Sequence, residues 1–129
     1  MGLELYMVGV IVEDMSRATE FYRRLGVDVP DGAETEGHVE IKMSGLTFFL
    51  STKQANARWD PARKDVSGDG YRIVLEFYLD TRAALYAKYE ELTGYGYVGH
   101  CEPHDVTPEL RFAMVDDPDG NTILLSASA

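Results

Sequence analysis

The feature that most constrains how this chain folds is that it repeats itself. A shift of 67 residues lays Val8, Val10 and Val12 on Leu75, Phe77 and Leu79, and Tyr22 and Leu25 on Tyr89 and Leu92. Near the end of each copy the shift becomes 75, which lays Gly45, Thr47, Leu50 and Ser51 on Gly120, Thr122, Leu125 and Ser126. The difference means eight extra residues between helix and hairpin in the second copy, where an insertion into a loop is tolerated.

Each copy reads as strand, helix, then further strands. Leu5 to Val12 alternates and is rich in β-branched residues, which predicts a strand with Val8, Val10 and Val12 on one face. Asp14 or Ser16 offers an N-cap, Ala18, Phe21, Tyr22 and Leu25 share a helical face, and Gly26 closes the helix. A short strand is expected near Val27. His38 to Met43 and Leu46 to Leu50 then form a hairpin around Ser44-Gly45. The polar stretch Thr52 to Gly70 reads as a connection with a short helix around Gln54 to Trp59.

The same order then returns. Tyr71 to Leu79 is a strand, Asp80 or Thr81 a cap, and Arg82 to Leu92 a helix ended by Gly94. Tyr97 to Cys101 reads as a short strand, and Glu109 to Val115 and Asn121 to Ser126 as strands around Asp117-Pro118-Asp119-Gly120. The expected architecture is therefore α+β: two tandem βαβββ modules in a single domain, residues 1–129. Module one covers about 4–52, the connection 53–70 and module two about 71–127. Each module buries one sheet face under its helix. The opposite faces are expected to curve together into a cup-shaped mixed sheet with the helices outside.

Composition narrows the partners. The 129 residues carry 22 Asp and Glu against 12 Lys and Arg, a net charge of −10. Such a surface repels phosphate backbones and anionic lipid, so neither nucleic acid nor membrane is an expected partner. It favours the approach of a cationic ligand, although acidity also serves solubility. No apolar run approaches the ~18 residues of a membrane span. The first residues lack the basic flank and cleavage site of a secretory signal, and a cytoplasmic location is expected. Cys101 is the one cysteine, which excludes an intrachain disulfide and any multi-cysteine metal centre. It reads as an inert small side chain.

Two stretches, VIVEDMSRATEFYRRLGV and ELRFAMVDDPDGNTILLS, resemble the vicinal oxygen chelate superfamily of glyoxalases, extradiol dioxygenases and bleomycin-resistance proteins. The resemblance covers essentially the whole chain. It implies the cup, and in the enzymes of that superfamily a divalent metal held by His, Gln or Glu at equivalent points of both modules. Here those points carry Met7, Phe49, Val74 and Leu124, all apolar, and a Met thioether suits Cu(I) rather than Mg, Mn, Zn or Fe(II). No metal or other cofactor is therefore expected. His100 and His104 lie four apart in HCEPH, but Pro103 between them opposes a helix, and the segment reads as a polar surface loop.

With the valines under the helix, the other parity lines the cup. Met7, Ile11, Phe49, Val74 and Leu124 form an apolar floor, and His38, Glu40, Arg72, Glu76, Tyr78, Arg111 and Ala113 join it from the strands. Glu76 interrupts the apolar run IVLEFYL and needs a partner if buried, either Arg72 or Arg111 or a ligand. Phe49, Trp59 and Tyr78 are the aromatic groups suited to stacking a flat ligand, although Trp59 equally fits a sheet edge or a second subunit. The expected ligand contacts are Phe49, Trp59, Arg72, Glu76, Tyr78, Glu40 and Arg111, with no catalytic residue assigned.

Two functions follow. The resemblance to the bleomycin-resistance branch implies a metal-free homodimer that sequesters an aromatic or cationic antibiotic or metabolite. The alternative is a lyase or isomerase with a displaced metal, or with acid–base catalysis through Glu76. A third possibility is a cup plugged by its own apolar side chains and kept for protein contacts.

Overall fold

The computed structural model describes residues 2, 5–62 and 73–128. The fold is mixed α+β, with two open sheets and three α-helices among the described residues. The chain divides into two compact units, Met1–Ser67 and Gly68–Ala129.

In the first unit, strand β1 (Met7–Val12) leads into helix α1 (Met15–Leu25), and strands β2 (His38–Lys42) and β3 (Thr47–Thr52) follow. The sheet order is β1-β3-β2, with β1 parallel and β2 antiparallel to β3. The helix starts where the side chain of Asp14 accepts a hydrogen bond from the Arg17 amide at 3.2 Å. It stops at Gly26, whose φ of 121° is open to glycine and costly for other residues. Phe21, Tyr22 and Leu25 are buried with Val10, Val12, Val39, Ile41, Phe48 and Leu50, and the rings of Tyr22 and Phe48 lie 5.4 Å apart. Alternation thus sends one face of every strand into this core. Helix α2 (Lys53–Trp59) follows β3 directly, capped by Thr52.

The strand expected near Val27 is absent. Val27 and Val29 are buried, but the Val29 amide donates to the Val27 carbonyl in a tight bend, and Pro30 has no amide to offer a ladder. Burial of two valines two apart is what the sequence pattern registered, and an irregular segment satisfies it as well as a strand does. The first copy is thus βαββ.

In the second unit the order is β4 (Leu75–Tyr78), α3 (Arg82–Gly94), β5 (Gly99–Thr107), β6 (Leu110–Asp116) and β7 (Thr122–Ser128), a full βαβββ module. The sheet order is β4-β7-β6-β5, with β4 parallel to β7 and the others antiparallel. Thr81 caps α3, accepting from the Ala84 amide at 3.1 Å. Leu85 and Leu92 of α3 are buried along with Ala113, Val115, Ile123, Leu125 and Ala127. The β6–β7 turn is held by Asp117, whose carboxylate accepts from the amides of Asp119 and Asn121 and from the Asn121 side chain.

The duplication survives at the level of register. Val8 pairs with Phe48 across β1 and β3, and their counterparts Leu75 and Ile123 pair across β4 and β7. The HCEPH segment, expected as a loop, instead lies within β5. Pro103 is tolerated there because β5 is the outer strand of its sheet and its pairing with β6 slips three times. The eight-residue excess of the second copy is therefore largely spent on an extra edge strand.

Candidate functional site

On the face of the first sheet turned away from α1, the pairing builds a row Gly9–Phe49–Glu40 and beside it a row Ile11–Ser51–His38. Gly9 has no side chain, and the Phe49 ring lies over its Cα in the space a β-carbon would take. His38 lies tilted on Phe49 with ring centroids 5.0 Å apart, and Trp59 meets Phe49 nearly perpendicular, with centroids 6.2 Å apart. The Glu40 carboxylate lies 3.2 Å from His38 Nε2. Trp59 is 53% exposed, so a large part of its ring is available to a ligand or another chain. The structure thus brings three of the expected residues, Phe49, Trp59 and Glu40, into one cluster. It adds His38, whose place was legible in its alternation with Glu40.

The second sheet presents another row: Glu76 stands beside Leu124, which stands beside Met114. Glu76 Oε2 accepts a 2.7 Å hydrogen bond from the Ser126 hydroxyl, and the Tyr78 hydroxyl is 2.7 Å from that of Ser128. Glu76 and Tyr78 are both exposed. Among the described residues the hydrogen-bond partner of Glu76 is therefore a serine. Arg72 falls outside the described residues.

Arg111 corrects a second expectation. The turn at 117–121 pairs Arg111 with Ala127 and Phe112 with Ser126, so Arg111 and Ala113 share the buried parity of Val115 rather than that of Glu76. The placement of those two was wrong by one residue, and in a strand one residue inverts the face. Arg111 is only 7% exposed. Its Nε lies 2.9 Å from Asp105 Oδ1 without its N–H being aimed at that oxygen, so the contact is a charge pair and not a hydrogen bond. Nη1 has no hydrogen-bond partner among the described residues.

Superposing the copies explains one further oddity. Gly9 occupies the place of Glu76, and Ser51 the place of Ser126. Ser126 has the carboxylate; Ser51, fully buried, has a hydroxyl with no partner among the described residues. Where the second unit has a carboxylate the first has the Phe49 ring over Gly9, and the stranded Ser51 hydroxyl costs about 1–3 kcal/mol.

These geometries fit a family. The sequence profile of the Glyoxalase/Bleomycin resistance protein/Dioxygenase superfamily matches residues 5–125, and the chain belongs to that superfamily. Among solved structures it is similar to a glyoxalase/bleomycin resistance protein/dioxygenase family enzyme from Burkholderia phytofirmans PsJN, at 16% identity over 98% of this chain and 100% of that one, with a TM-score of 0.82. It is also similar to lactoylglutathione lyase from Agrobacterium tumefaciens (17% identity, 95% and 92% of the two chains, TM-score 0.68). A third is TioX from Micromonospora sp. ML1 (14% identity, 99% and 100%, TM-score 0.65). At such identities these likenesses speak to the fold alone. No curated protein matches the chain.

The divalent metal used by enzymes of this superfamily can be tested against the residues present. Phe49 stands across from Gly9, Leu124 between Glu76 and Met114, and Met7 across from Thr47. With Val74, these four positions offer hydrocarbon and one thioether, which do not fit a hard or borderline divalent ion. Among the described residues no three of His, Cys, Asp and Glu are grouped to hold a metal. Nor is any described helix long and apolar enough to cross a membrane.

Proposed function

We propose that this protein binds a flat organic molecule, aromatic or cationic, on the surface formed by Phe49, Trp59, His38 and Glu40, and acts by sequestering it as a homodimer. The observation that carries the reading is the exposed Trp59 ring set nearly perpendicular to a Phe49 ring seated on Gly9. Two aromatic rings fixed in mutual contact, with an imidazole on one of them and a carboxylate within 3.2 Å of that imidazole, suit a ligand with a π-face and a positive charge. The net charge of −10 favours such a ligand on approach.

Trp59 is the sole tryptophan, so its emission reports directly on the site. Titration with a panel of glycopeptide and aromatic antibiotics, followed by calorimetry and Trp59 fluorescence, should identify at least one ligand that shifts both. Phe49→Ala and Trp59→Phe should each weaken its binding about tenfold, the worth of one aromatic contact. Absence of heat and of any emission change across the panel would remove the support for sequestration. Sedimentation equilibrium checks the dimer.

A second reading rests on Glu76, an exposed carboxylate hydrogen-bonded to Ser126 and placed beside Leu124. A carboxylate held in place on an apolar strand can act as a general base toward a carbon acid. Turnover of a 2-oxoaldehyde hemithioacetal or similar substrate by purified protein, abolished in Glu76→Gln and retained in Trp59→Phe, would favour this reading over the first.

A further inference from the structure

The slipped edge strand of the second unit gathers a set of soft ligands that neither of these readings uses. In a regular strand Cys101 and His104, three apart, would point to opposite faces. In β5 they do not. Cys101 pairs with Met114 and His104 with Phe112, so three steps along β5 match two along β6, and both side chains are returned to one face. Cys101 Sγ accordingly lies 3.6 Å from His104 Nδ1. Met114 is the cross-strand partner of Cys101, between two slips of the β5–β6 ladder.

That sulfur–nitrogen distance has a coordination meaning. A thiolate and an imidazole bound at about 2.3 Å and about 2.0 Å to one ion stand roughly 3.5 Å apart when the angle between them is near tetrahedral. The pair matches that spacing while Cys101 Sγ and His104 Nδ1 both hydrogen-bond the Glu102 carbonyl oxygen, at 3.7 and 3.0 Å, contacts that an ion would replace. Cys101 is half-buried and His104 exposed, so an ion can reach them from solvent along the sheet edge. The third donor decides which ion. No third His, Cys, Asp or Glu joins the pair among the described residues, and the thioether of Met114 is the donor opposite. Thiolate, thioether and imidazole together select a soft monovalent cation over Zn(II) or Mg(II).

We propose that Cys101, His104 and Met114 form a binding site for one Cu(I)-type ion. On binding, the Cys101 thiol releases its proton to solvent and its sulfur donates a lone pair to the ion. His104 Nδ1 leaves the Glu102 carbonyl oxygen, now 3.0 Å away, and carries its proton on Nε2 instead. No change of oxidation state is involved.

The test is an anaerobic titration of the whole protein with Cu(I) against a chromogenic Cu(I) chelator. The wild type should withdraw one equivalent and release about one proton per ion at neutral pH. Cys101→Ser should abolish the withdrawal. Alkylation of Cys101 in the wild type should do the same, which covers the case of a variant that fails to fold. His104→Ala and Met114→Leu should each weaken binding at least about tenfold, and Zn(II) should compete poorly. Failure of the wild type to take up Cu(I) would overturn the proposal. So would unchanged affinity in both His104→Ala and Met114→Leu, which would reduce the site to a bare thiol. Trp59 emission need not respond, so this outcome is independent of the aromatic site.

Discussion

At Gly9 the absence of a side chain is a functional statement. A β-carbon there would overlap the Phe49 ring, which is hemmed in by His38 and Trp59. Gly9→Ala should therefore displace the ring, alter Trp59 emission and cost about 1–2 kcal/mol, a modest overpacking penalty because a side chain rather than backbone must move. The same change made in Phe49→Ala should cost almost nothing, and a double-mutant cycle on urea midpoints measures the coupling. Additive costs would mean that the ring is not held against Gly9. Arg111 presents the opposite problem, a charge buried with half-exposed Asp105 as its ion-pair partner. Asp105→Asn should cost about 1–3 kcal/mol, below the figure for a fully buried pair because Asp105 is wet. Arg111→Met should be nearly neutral in the same urea series. If Asp105→Asn is harmless, the guanidinium is better solvated than its burial implies.

Among the elements, the helices and their caps were the most legible in the sequence, since Asp14, Thr81 and Gly26 act locally and do what their chemistry allows anywhere. The edge strand β5 was the least legible. Its Pro, its two histidines and its irregular alternation are loop signals, and only pairing with β6 makes it a strand. The packing of α3 on β5 also sets a pH dependence. The Tyr89 phenol sits against Gly99, and burial first, then the charges of Glu102 and Cys101, push its pKa above the usual value near 10. A raised folded-state value means that the stability linked to neutral Tyr89 is complete below the unfolded value. It is lost as pH rises through the folded one. Thermal melts between neutral pH and the alkaline limb should show a decline that Tyr89→Phe flattens. An identical decline in that variant would assign the alkaline loss to other groups.

For the molecule as a whole, a net charge of −10 on 129 residues implies self-repulsion among carboxylates that salt should relieve. Raising sodium chloride from about 0.01 M, where the Debye length is near 30 Å, to about 1 M should raise the melting temperature by a few degrees. A fall instead would mean that ion pairs such as Lys53–Glu13 and Arg23–Glu34 outweigh the repulsion. The candidate aromatic site was partly legible at this scale too. Parity alone placed Phe49 and Glu40 on one face, but Trp59 lies beyond the strands, and only the turn of α2 after Thr52 brings it to Phe49.

The sequence by itself determined the duplicated α+β plan, the helix ends and the superfamily, because alternation, capping and repeat spacing are properties of neighbouring residues. It also puts apolar residues at Met7, Phe49, Val74 and Leu124, the positions that the resemblance equates with metal ligands. Tertiary structure decided the rest: that Glu76 answers to Ser126, that Arg111 turns inward, that HCEPH is an edge strand, and that Gly9 makes room for Phe49. Each of these depends on cross-strand register, and a shift of one residue, invisible to local pattern, reverses the face on which every side chain of a strand emerges.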